Sequence, residues 1–129
     1  MNARHPGGVT RRYAFASCFL LVLGLAACSD EDMCGNEIVT SVASPSGILR
    51  AVVFTRDCGA TTGYSTQLSI LPAAEALPRD GGNTLILDDQ IPLTVRWISD
   101  TELLVKGIGS AKVFRREQSV AGVQVRVEP

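Results

Sequence analysis

Leu93-Thr94-Val95-Arg96-Trp97-Ile98, then Ser99-Asp100-Thr101, then Glu102-Leu103-Leu104-Val105-Lys106 is the stretch from which the fold is read. Leu93, Val95 and Trp97 alternate with Thr94 and Arg96. Successive side chains of a strand point to opposite faces, so this run is a strand with one apolar and one solvated face. Ser99, Asp100 and Thr101 are turn residues, and the apolar run after them returns the chain as a second strand. Trp97 lies on the apolar face and is read as core.

The same grammar extends in both directions. Glu37–Ala43, Ile48–Asp57 and Tyr64–Leu71 read as three strands, and Ser44-Pro45-Ser46-Gly47 is a tight turn between the first two. Pro72 to Asn83 is a loop, in which Ala73–Leu77 is too short to nucleate a helix. Thr84–Asp88 is a fourth strand. Past Lys106, Gly107-Ile108-Gly109-Ser110 turns the chain into Lys112–Arg116. Gly122–Val127 follows, with Val123, Val125 and Val127 inward and Gln124 and Arg126 outward. Eight short strands separated by turns predict an all-β domain over residues 37–129: a small antiparallel meander, as a sandwich or partly open barrel.

The N-terminal part has a different composition. Arg4, Arg11 and Arg12 precede Tyr13–Ala27, which carries no charge. That run falls short of the ~20 apolar residues that span a bilayer, so residues 1–27 read as a signal peptide. Its end, Leu25-Ala26-Ala27-Cys28, resembles the lipobox of bacterial lipoproteins. The resemblance implies that Cys28 is alkylated with diacylglycerol, acylated with palmitate-type chains and left as the new N-terminus. Each buried CH₂ contributes about 0.8 kcal/mol, so two or three chains anchor firmly where one does not. Ser29 after the cysteine favours the outer over the inner membrane, with the domain facing the periplasm. Residues 28–36 form an acidic tether bearing Asp30, Glu31 and Asp32. From Cys28 to Cys34 it reaches about 20 Å at most.

Charge and cysteines narrow the function classes. The net charge of the whole chain is -1, yet every Asp and Glu lies after Cys28, and beyond it thirteen acidic residues face nine basic ones. Phosphate binding needs a basic stripe, so a nucleic-acid partner is not expected. His5, in the leader, is the sole histidine of the sequence, which excludes Ser-His-Asp, Cys-His and His-metal chemistry from the mature chain. Neither a metal nor a cofactor is expected. Of four cysteines, Cys18 leaves with the leader and Cys28 carries lipid. Cys34 and Cys58 remain and are expected to form a disulfide, consistent with a cell-envelope location. Closing a loop of about 25 residues stabilises by roughly 3–4 kcal/mol in the chain-entropy model.

Cys34-Gly35-Asn36-Glu37, Ser44-Pro45-Ser46-Gly47, Ala51–Gly63 and Tyr64–Ile70 together resemble a family of small, Cys-paired bacterial envelope lipoproteins. The likeness is strongest over Arg56–Gly63. It implies an envelope lipoprotein with paired cysteines and carries no activity with it.

The candidate binding residues are Arg56, Asp57, Gly59, Thr61, Thr62 and Tyr64. Gly59 and Gly63 permit positive φ, so successive N–H groups can converge on an anion, with Thr61 and Thr62 as hydroxyl donors and Arg56 as a fork for carboxylate or phosphate. Tyr64 offers an amphipathic rim contact. The same residues also suit a plain turn beside a disulfide, with Arg56–Asp57 as a solvated edge. Asp88-Asp89 reads as a solvated turn and Arg115-Arg116 as a solvated strand end. No catalytic residue is assigned. The expected function is a non-enzymatic, membrane-anchored module that binds an envelope protein or polymer. The alternatives are an inhibitor of a cell-wall hydrolase and a small-anion binder using Arg56–Gly63. Solvated strand edges also suit pairing with a second copy.

Overall fold

The computed structural model describes residues 2–3, 7–8 and 33–129. Cys28, Asp30–Asp32 and most of the leader expected over 1–27 lie outside the described residues. Among the described residues there is no α-helix, and the elements are β1 (Gly35–Ala43), β2 (Leu49–Asp57), β3 (Ser65–Pro72), β4 (Leu85–Asp88), β5 (Thr94–Ser99), β6 (Glu102–Lys106), β7 (Val113–Arg116), β8 (Ser119–Val120) and β9 (Val123–Glu128). The domain is all-β, and eight of these strands lie where the alternation of the sequence puts them. The ninth, β8, is two residues long and too short to show a period.

The strands form two open sheets that stack as a sandwich. The first has the order β1-β2-β3-β4-β7 and the second β5-β6-β9-β8. All pairs but one are antiparallel. The exception is β6 with β9, which run parallel with Leu103 opposite Val125 and Val105 opposite Val127. Its cause is a crossover. After β6 the chain passes to the first sheet as β7, returns through β8, and enters β9 in the direction of β6.

The core lies between the sheets. Ala51, Val53, Leu68, Ile70, Leu85 and Leu87 from the first sheet meet Leu103, Val105, Val123, Val125 and Val127 from the second. Burying each Val, Leu or Ile side chain contributes about 1.5–3 kcal/mol before conformational entropy is charged against it. Trp97 packs at the margin of this cluster, and its Nε1 donates to the Val42 carbonyl at 2.9 Å. That bond fastens β5 of one sheet to β1 of the other. At the tip of the β1–β2 hairpin the Gly47 amide donates to the Ser44 carbonyl at 2.8 Å, closing the expected Ser-Pro-Ser-Gly turn.

The outer face of the first sheet is also apolar at its centre. Val52, Phe54 and Leu71 are buried there, with Leu77 packed over them. A sheet buried on both faces needs two covers, and the second is the loop Ala73–Asn83. Polar side chains hold it down. Gln67 Oε1 accepts the Gly82 amide at 2.6 Å, and Ser69 Oγ accepts the Asn83 amide at 3.0 Å. Asn83 replaces a strand neighbour: its Oδ1 accepts the Ile70 amide at 2.9 Å and its Nδ2 donates to the Ile70 carbonyl at 2.8 Å. Gly82 crosses so close that a Cβ would stand 2.8 Å from the Leu68 carbonyl oxygen.

Three bulges interrupt the ladders. The registers skip Val39 in β1, Ile98 in β5 and Phe114 in β7, and each skipped side chain is exposed. An extra residue in one strand bends it and re-aims its side chain.

Candidate functional site

Cys34 and Cys58 are disulfide-bonded, with Cα atoms 3.9 Å apart. The bridge fixes the start of the edge strand β1 to the chain just after β2. Gly35 and Asp57 are register partners, as are Asn36 and Arg56 and also Glu37 and Thr55. This end of the sandwich therefore gathers the first residues of β1, the last of β2 and the loop Cys58–Tyr64.

The six candidate residues do not form one cluster, because neighbours on a strand point to opposite faces. Arg56 points to the outer face. Its Nη1 donates to Asn36 Oδ1 at 2.8 Å and to the Arg79 carbonyl at 2.6 Å. Asn36 Nδ2 in turn donates to the carbonyls of Pro78 and Asp80, both at 3.0 Å. The guanidinium expected to fork onto an anion thus clamps the covering loop to β1 and β2.

Asp57 and Tyr64 lie on the other face with Gly35, Glu37 and Thr55, around a hollow of ≈ 260 Å³. Asp57 Oδ1 accepts the Gly59 amide at 3.0 Å. Gly59 has φ of 110°, the left-handed region that favours glycine, whereas Gly63 is not in that region. The Thr62 amide and Oγ1 both donate to the Gly59 carbonyl, at 3.2 and 3.3 Å. The amides of Gly59 and Thr62 are thereby occupied within the loop. Thr61 is exposed, and Tyr64 is 49% exposed while its carbonyl accepts the Asp89 amide at 2.9 Å. The loop thus draws its partners from its own chain, and the hollow beside it counts two acidic residues, Glu37 and Asp57, and no basic one in its lining. That environment opposes an anion and suits a cation.

Thr55 also lines a second depression, of ≈ 360 Å³, between the sheets at the β1 margin. Val39, Val53, Ile91, Pro92 and Leu93 form most of its wall. Sequence reasoning missed this notch and the part of Glu37 in the hollow. Neither was legible, because both depend on the bulge at Val39: strict alternation sets Glu37 opposite Arg56, and the bulge shifts the register so that Glu37 meets Thr55.

Elsewhere, the expected Asp88-Asp89 turn is instead the end of β4: Asp88 is its last residue, its amide donating to the Lys112 carbonyl at 2.9 Å, and the carbonyl of Asp89 accepts Thr66 Oγ1 at 2.8 Å. Arg115 Nη1 donates to the Gly82 carbonyl at 3.2 Å and Arg116 Nη2 to the Val127 carbonyl at 3.3 Å. Lys112 Nζ lies 5.1 Å from the centre of the Phe114 ring. No protein-family model, curated protein or solved structure matches the chain.

Proposed function

We propose that the chain is a lipid-anchored cell-envelope protein whose β-sandwich is a binding module held close to the membrane, without turnover of its own. The observation that carries this reading is the distance between two cysteines. The lipobox-like Cys28 stands six residues before Cys34, the half-cystine that opens the fold. Disulfides persist in oxidising compartments, which agrees with an envelope location. In this reading the leader of residues 1–27 is removed, Cys28 carries the acyl chains and the outer membrane holds them, with the domain on the periplasmic side. The tether then delivers the membrane's hold to a point already braced against β2.

Metabolic labelling of host cells with alkynyl palmitate tests the anchor. The full chain is expected to take up label and to partition with membranes, and Cys28→Ser is expected to lose the label while keeping the disulfide. Equal labelling of the two chains, or none in either, would overturn the reading.

A further inference from the structure

The geometry points to a docking trough for an extended segment of another protein that carries an aliphatic side chain and, two residues away, a Lys or Arg. This inference rests on the reading of the domain as a binding module and names the chemistry of its partner.

The trough combines three observations. The first is an open strand edge. β1 is a terminal strand of its sheet, and at its far end Trp97 closes the edge by donating to Val42. Among the described residues no strand flanks Asn36–Val39 on that side. An open edge offers backbone donors and acceptors to an extended peptide. The second is the apolar notch. The bulge re-aims Val39, which is 65% exposed, over the gap where half-buried Ile91 and Leu93 are reached from solvent and buried Val53 forms the floor. The third is charge. Glu37 and Asp57 line the adjoining hollow beside Tyr64, and neither forms an ion pair among the described residues. The ion pairs present there, Lys106–Glu128, Arg126–Glu102 and Arg126–Glu128, all lie on the second sheet.

Spacing joins the notch to the hollow. Glu37 precedes Val39 by two residues, and two residues of extended chain span about 7 Å. In a bound strand, side chains at i and i+2 face the same way. A segment running along β1 therefore sets an aliphatic group in the notch and a cationic group against Glu37 and Asp57 in one pose. Tyr64 adds a ring face on which the cation can lie. An acidic segment meets two carboxylates there and is rejected.

The test uses the full lipidated chain in detergent micelles, isotope-labelled and followed by amide chemical shifts. The probes are two acetylated, amidated pentapeptides, Thr-Val-Thr-Lys-Thr and Thr-Val-Thr-Glu-Thr. The lysine peptide at millimolar concentration is expected to shift the amides of Glu37, Val39, Thr55 and Leu93, with at least tenfold weaker response to the glutamate peptide. E37K is expected to reverse that preference, and Val39→Asp is expected to weaken both peptides while leaving the remaining spectrum intact. No shifts at these residues, equal response to both peptides, or an unchanged preference in E37K would overturn the proposal. Shifts produced by diluting the protein alone would make the occupant a second copy and would also overturn it. The intact mass of the same preparation reports the acyl chains. An acylated chain that ignores the peptides sinks only the trough, whereas an unacylated one sinks the reading beneath it.

Discussion

Arg56 shows how a single residue changes meaning between sequence and structure. In the sequence it is a cation beside two glycines and two threonines, a pattern that suits an anion. In the fold it is half-buried and joins β1, β2 and the covering loop through Asn36 Oδ1 and the Arg79 carbonyl. The strand period already separates Arg56 from Asp57, and that much was legible. What Arg56 touches was not, because its partner at residue 79 arrives through a loop whose path no local pattern specifies. Truncation to Ala leaves two acceptors without their charged donor. Arg56→Ala is expected to cost about 1–3 kcal/mol in denaturant unfolding. The covering loop is then expected to become a protease site near Arg79 under native conditions. Unchanged stability and an intact loop would count against this role.

At the scale of elements, the alternation fixes which residues face inward but not which strands are neighbours. That is why Val123, Val125 and Val127 were placed correctly while the parallel pairing of β9 with β6 was not foreseen. The bulges at Val39, Ile98 and Phe114 escaped for a related reason: each is defined by the partner strand's register. The disulfide was legible by counting cysteines, and its place in the fold gives it a task. It holds β1, which among the described residues is paired along one side only, at the end where the chain enters the domain. The double variant Cys34→Ser/Cys58→Ser is expected to lose about 3 kcal/mol of stability. Hydrogen exchange is expected to rise first in Gly35–Ile38, with β6 and β9 unchanged. Uniform loosening of the whole domain would show that the bridge does not act at this edge.

For the whole molecule, the proposed anchoring rests on three features: a lipobox-like cysteine, a span of six residues from it to Cys34 that reaches about 20 Å at most, and a sandwich opened by a disulfide. The same end carries the trough of Glu37, Val39 and Asp57, so under the proposed lipid anchoring a partner bound there is met near the membrane surface. Neutron reflectometry of the acylated chain on a supported bilayer tests the account most directly. The predicted result is a single protein layer whose near edge lies within about 20 Å of the headgroups. That layer is expected to be absent for Cys28→Ser. Protein density held well beyond that distance, or a layer that Cys28→Ser forms equally well, would contradict the account.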